Sequence, residues 1–162
     1  MIRLIEKPVV DVDYNPNIKH RGKIDIIDAR LLSVEEAEKL PLRLRLYYDG
    51  WWLSTPTISN KGTVNEHNLV TYVESNGKIN TYGWHPYDKM CVRPALILNN
   101  PQKFGIGNGS IIEFGGKEFE VISPSLAFCT DCIGKHRFSA ETNDYEKSDI
   151  KRYIHWWLHS NI

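Results

Sequence analysis

The sequence predicts an α+β fold: a small, mostly antiparallel sheet with two helices and long loops. Two observations carry that expectation. About eight short apolar runs alternate with turn residues, and two of the turns have hairpin chemistry. Two other segments carry the capping residues or the apolar spacing of helices.

In chain order, Ile2, Leu4 and the run Val9, Val10, Val12 read as strand. Asn15-Pro16-Asn17 reads as a turn, and Gly22 opens a strand at Ile24 to Ile27. Arg30 to Leu46 reads as helix, with Ser33 as N-cap and Glu36 completing a capping box. Pro41 has no N–H for the helix ladder, so this helix ends or kinks near Leu40. Trp51 to Ser54 is a short strand, followed by a polar loop to about Glu66. Leu69 to Glu74 and Lys78 to Tyr82 flank Ser75-Asn76-Gly77, where Asn-Gly predicts a type I′ turn. Val92 to Leu98 is a further strand, and the Trp51-Trp52 and Arg93-Pro94 strands are expected to be central. Ser110 to Phe114 and Lys117 to Ile122 flank a second primed turn at Gly115-Gly116, and Ser123 to Thr142 reads as irregular. The last segment is a helix capped by Ser148, with Ile150, Tyr153, Ile154, Trp157 and Leu158 on one stripe.

A length of 162 residues fits a single domain. It divides into a first half (1–98), a Gly- and Asn-rich linker (99–109, NNPQKFGIGNG) and a second half (110–162). Hydrophobic residues at 41% supply a core and exclude the disordered class. Lys+Arg and Asp+Glu are 20 each, so the net charge is zero and the basic excess of a general nucleic-acid binder is missing. No apolar run reaches the roughly 20 residues that span a bilayer. Arg3, Glu6 and Lys7 interrupt any signal-peptide core, so a cytoplasmic protein is expected. Five Trp, two pairs among them, and eight Tyr point to aromatic packing in and near the core.

Four pieces of the first half resemble one known family. They are Leu31-Leu32-Ser33-Val34-Glu35-Glu36-Ala37, Trp51-Trp52-Leu53-Ser54, the Asn76-Gly77 hairpin, and Val92-Arg93-Pro94-Ala95-Leu96-Ile97-Leu98. In the second half, Phe114-Gly115-Gly116, Phe119-Glu120-Val121-Ile122 and Tyr145-Glu146-Lys147-Ser148-Asp149-Ile150-Lys151 are similar to the rest of it. The family is that of the DUF6273 domains of bacteria and phages, related to the C-type-lectin-like fold of the formylglycine-generating enzymes. Ser54 and Phe119 depart from it, standing where the family often has Arg and Trp. The two halves stand in reversed order, so the resemblance implies a circularly permuted C-type-lectin-like domain whose linker bridges the old termini. The active-site cysteine pair of the formylglycine-generating enzymes has no counterpart placed by motif, so their oxidase chemistry is not carried over.

The cysteines are Cys91, Cys129 and Cys132, too few and too odd for a secreted disulfide framework. Cys129-Thr130-Asp131-Cys132 is a C-x-x-C pair with His136 four residues on. Two readings stay open: reduced thiols with no cofactor, or a structural zinc ion held by Cys129, Cys132 and His136 with Cys91 or His85 as fourth ligand. Redox use is disfavoured because Ile133-Gly134 starts a helix poorly. His155 and His159, the carboxylates Asp11, Asp13, Asp25 and Asp28, and the mixed clusters around Arg43–Tyr48 and Lys147–Trp156 read as solvated surface. No phosphate-binding loop and no nucleophile elbow occurs.

The resemblance, with no catalytic set beside it, implies a non-catalytic protein-binding module of phage or mobile-element origin. One version is an inhibitor of a host defence protein such as a CRISPR nuclease. Its expected contact segments are Pro56 to Asn68, Tyr82 to Lys89 (with Tyr82, Trp84 and Tyr87 as contact residues) and Ser123 to Thr142. The alternatives are a metal-dependent or redox protein using the Cys129, Cys132 and His136 loop, and a phage structural or self-assembling protein.

Overall fold

A computed structural model describes residues 9–14, 20–57, 68–99, 101 and 105–162, with 9–14 and 20–23 followed through the backbone alone. The expected Asn15-Pro16-Asn17 turn, most of the Pro56 to Asn68 loop and part of the 99–109 linker lie outside these residues. In chain order the elements are β1 (Val9–Tyr14), β2 (His20–Arg30), α1 (Val34–Glu38), α2 (Leu42–Arg45), β3 (Trp51–Pro56), β4 (Val70–Val73) and β5 (Ile79–Trp84). There follow β6 (Lys89–Cys91), β7 (Ala95–Asn99), β8 (Ile111–Phe114), β9 (Lys117–Ser123), β10 (Leu126–Cys129), β11 (Lys135–Arg137) and α3 (Asp149–Ser160). The architecture is α+β with mostly antiparallel sheets. It divides into two compact units.

The first unit comprises the described residues up to Arg30, Pro94–Asp131 and His155–Ile162. Six strands in the order β1-β2-β7-β10-β9-β8 form a closed barrel, β8 pairing back to β1 at Asp13–Glu113 and Tyr14–Ile112. Closure leaves no unpaired edge. Inward and outward residues alternate, as in β8, where Ile112 and Phe114 are buried and Glu113 is exposed. In β2 the pairing with β7 slips by one residue between Ile26 and Asp28. That bulge resets the alternation, so Ile24, Ile26 and Ala29 are buried while Ile27 is exposed. The end of α3 belongs to this unit: Trp157 lies edge-on to Phe114 at 5.6 Å and tilted against Phe119 at 6.0 Å. The Gly115-Gly116 turn is realised as expected, with φ of 61° and 74° between Phe114 and Lys117.

The second unit comprises Leu31–Arg93 and Cys132–Ile154. Its five-stranded sheet has the order β11-β6-β3-β4-β5. The pairs are antiparallel except β3 with β6, which meet in parallel at Trp51 and Cys91. β3 is the central strand, and Trp51, Trp52 and Leu53 are all fully buried, as a strand covered on both faces requires. Each buried indole N–H finds a carbonyl: Trp51 Nε1 donates to Arg45 O at 3.0 Å and Trp52 Nε1 to His136 O at 2.9 Å. Arg93 is 1% exposed, and its guanidinium lies 4.7 Å from the Trp51 ring centroid and 4.9 Å from that of Tyr47. Cation–π contact with two rings favours the charge where water is excluded.

The capping box forms: Glu36 N–H donates to Ser33 Oγ, and Ser33 N–H to Glu36 Oε1. The helix does not begin at Arg30, because β2 runs through that residue to pair with Ala95. Pro41 divides the rest, ending α1 and standing as N-cap of α2. The Asn76-Gly77 turn is a three-residue loop rather than a type I′ turn. Gly77 N–H donates to Glu74 O, Glu74 N–H donates to Lys78 O, and Gly77 takes φ 87°. A type I turn followed by a left-handed residue makes this loop. The segment read as irregular contains β10 and β11, and β7 begins only after Pro94.

At the start of α3, Ser148 Oγ accepts from Lys151 N–H at 3.1 Å, as an N-cap does. Ile150 and Ile154 are fully buried. Asp149 accepts from Arg137 Nε at 2.8 Å and Ala140 N–H at 3.0 Å, and it pairs with Arg152. Burial raises its pKa, but the Ala140 N–H and the two guanidinium groups outweigh this and hold the carboxyl below its ordinary value of 3.8. A carboxyl lowered by folding stabilises the fold fully above the unfolded value, and that contribution disappears as pH falls through the folded value. Asp149→Asn should therefore lower stability at neutral pH by about 1 kcal/mol. It should also flatten the fall of stability below about pH 4, as read by urea denaturation across a pH series.

Candidate functional site

β5 is one edge of the five-stranded sheet, and its ladder with β4 is irregular. Val70 pairs with Trp84, whereas Tyr72 pairs with Asn80 and Val73 with Ile79. Three residues of β5, Thr81 to Gly83, thus stand opposite Thr71. Asn80 sets this bulge. Its Oδ1 accepts from Tyr82 N–H and Gly83 N–H, both at 3.0 Å. Its Nδ2 donates to Tyr72 OH at 3.2 Å and to Glu74 Oε2 at 2.8 Å. An asparagine amide has two acceptor sites and two donors, and all four are used. Gly83 completes the bend at φ 88°, where a Cβ would meet Thr57 Cγ2 at 2.5 Å and Leu69 Cβ at 2.9 Å.

Large aromatic side chains face outward at the bulge and in the turn that follows β5. Tyr82 is 88% exposed, Tyr87 52% and Trp84 44%. Trp84 is fixed by its Nε1–H bond to Asp88 Oδ2 at 2.7 Å and by edge contact with Tyr72 at 6.2 Å. His85 lies edge-on to Trp84 at 6.0 Å and stacks on Tyr87 at 5.2 Å. Tyr72, Trp84, His85 and Tyr87 so form a continuous row, with Tyr82 projecting beside it. Rigid aromatic side chains with polar edges give large contact area at small conformational cost, the chemistry of protein recognition. Sequence reasoning named Tyr82, Trp84 and Tyr87 but missed Asn80. Its signal was Gly83, a glycine inside a strand pattern.

The cysteine residues fall in two places, and all three are reduced thiols. Cys129 is buried at the end of β10 in the barrel unit. Cys91, Cys132 and His136 belong to the second unit. There the Cys132 S–H donates to Gly134 O at 3.2 Å. Burial, then the hydrogen bond to Cys132, then the charge of Cys132, push Cys91 up to about 12. Tyr153 is also raised, by burial and by Cys132, and its OH donates to Ile133 O at 3.3 Å. His136 stacks on Tyr153 at 4.4 Å, with Nδ1 2.6 Å from Arg137 O. Among the described residues no group of three or more His, Cys, Asp or Glu side chains is gathered as a metal site.

The other constellations are structural. Tyr47 packs on Arg93, Lys151 pairs with Glu146, and His155 Nε2 meets Asp28 Oδ1 at 3.0 Å, while His159 is exposed. Asp25 accepts from Asn99 Nδ2 at 3.1 Å, and the side chains of Asp11 and Asp13 lie outside the described ones. No helix among the described residues is long and apolar enough to cross a membrane. Comparisons of the chain with protein-family models, with curated proteins and with solved structures find no match.

Asn80→Ala should cost about 1–3 kcal/mol, since it removes four hydrogen bonds and strands two backbone donors. Gly83→Ala should cost at least as much, through positive φ and the crowding at Thr57. Urea denaturation of each variant checks both, and wild-type stability in either would show the bulge to be dispensable.

Proposed function

We propose that this chain is a non-catalytic protein-binding module that meets its partner through Tyr82, Trp84 and Tyr87. The observation that carries the reading is the exposure of these three large aromatics, Tyr82 and Trp84 on an edge strand whose bend is fixed by a fully hydrogen-bonded asparagine and Tyr87 in the turn that follows it. Surface that large and apolar is costly to leave in water, and it is preorganised rather than loose. The family resemblance of the sequence supports a circularly permuted C-type-lectin-like domain of phage or mobile-element origin. An intracellular host defence protein, such as a CRISPR nuclease, is the proposed class of target. The α+β architecture with antiparallel sheets is compatible with that assignment.

Tyr82 gives the cleanest test, because at 88% exposure its truncation should alter stability by less than about 0.5 kcal/mol. A tagged wild-type chain should retain a stoichiometric protein from host lysate after nuclease treatment. Tyr82→Ala with Trp84→Ala should lose it by tenfold or more while keeping the wild-type circular dichroism spectrum. Retention of the same partner by that variant would move the interface elsewhere on the molecule.

A further inference from the structure

The C-x-x-C motif pairs Cys129 with Cys132 in sequence, but Cys129 belongs to the barrel unit, whereas Cys132 shares its unit with Cys91. We propose that Cys91 and Cys132 form a reversible disulfide, with a low-molecular-weight disulfide such as oxidised glutathione as oxidant. The backbone brings the pair together. β11 pairs with β6 at Lys135–Cys91, His136–Met90 and Arg137–Lys89. Just beyond, Val92 N–H donates to Gly134 O and Ile133 N–H to Val92 O, both at 2.9 Å. Two residues therefore oppose one, a bulge that sets Cys132 diagonally across from Cys91. Cys132 also acts electrostatically on Cys91, raising its pKa.

Their environments divide the chemistry. Cys132 is half-buried and Cys91 fully buried, so the oxidant meets Cys132 first. The Cys132 thiolate, its proton gone to solvent, attacks one sulfur of the oxidant RSSR. A mixed disulfide forms and RS⁻ leaves. Cys91 then attacks the Cys132 sulfur as its proton passes to the departing RS⁻, forming the Cys91–Cys132 bond and releasing the second RSH. The two leaving groups take up the two protons lost, so the balance is two protein thiols plus RSSR giving one protein disulfide plus two RSH. The bond fastens β11, an edge strand of three residues, to β6.

The test uses the full chain equilibrated with excess oxidised glutathione, quenched with N-ethylmaleimide and mapped by mass spectrometry. Trypsin with an Asp-specific protease puts each cysteine on its own peptide, because Asp131 separates Cys129 from Cys132 and Lys117 separates Cys91 from Cys129. The expected product is a Cys91–Cys132 cross-linked peptide pair, a mass lower by about 2 Da, and a melting temperature higher by roughly 5–10 °C, all reversed by dithiothreitol. Cys129→Ser should keep the cross-link. A Cys129–Cys132 bond, a lasting glutathione adduct on Cys132 with Cys91 alkylated, or three alkylated thiols would each overturn the proposal. The mapping is done on the unsubstituted chain, so its outcome does not depend on any variant folding.

Discussion

The edge of the five-stranded sheet is governed by the hydrogen-bonding capacity of a single amide. Asn80 receives two backbone N–H groups of its own strand and gives its two protons to Tyr72 of the neighbouring strand and to Glu74 just beyond that strand's end. Those four bonds compensate for the ladder bonds that the bulge removes, so the strand bends without leaving amides unsatisfied. The direction of Tyr82 and Trp84 follows from that bend. The sheet behind it is stiff for a different reason: its central strand buries two indoles and a leucine, and Arg93 is held between rings of Trp51 and Tyr47.

The two edges of this sheet handle their exposure differently. β11 is three residues long and carries Lys135, His136 and Arg137, a short charged edge that discourages further strand pairing. β5 is longer and aromatic, and it avoids the same hazard by bulging at Thr81 to Gly83. A bulged edge is a poor template for strand addition but a good platform for side-chain contact. That distinction favours recognition through the Tyr82, Trp84 and Tyr87 rings over backbone pairing with a partner strand.

Features fixed by local chemistry were legible in the sequence. The α3 stripe, its Ser148 cap, the Ser33–Glu36 capping box and the Gly115-Gly116 turn each depend on residues close together in the chain. Features fixed by partners far away in sequence were not. β2 continues to Arg30 because Ala95 pairs with it, and β10 is a strand because β7 and β9 flank it. Asn-Gly suggested a two-residue turn, yet the register of β4 against β5 requires three residues there. At the candidate site the aromatics were visible by composition and position. Asn80 was not, because its role exists only once Tyr72 and Glu74 lie across the ladder. Cys91 reads from the sequence as a reduced thiol or a fourth metal ligand for the C-x-x-C loop, whereas β6–β11 pairing brings its strand beside the segment that carries Cys132.

Asn80 holds the aromatic edge rigid in the unbound chain. Amide hydrogen exchange at Tyr82 and Gly83, resolved residue by residue by NMR, tests it most directly. Both amides should be protected to the level of the β4–β5 ladder, despite lying on an edge strand, because each donates to Asn80 Oδ1. Exchange of both at the rate of an open loop would mean that the aromatic side chains stand on a mobile segment and not on a preorganised surface, and that Asn80 does not hold the edge.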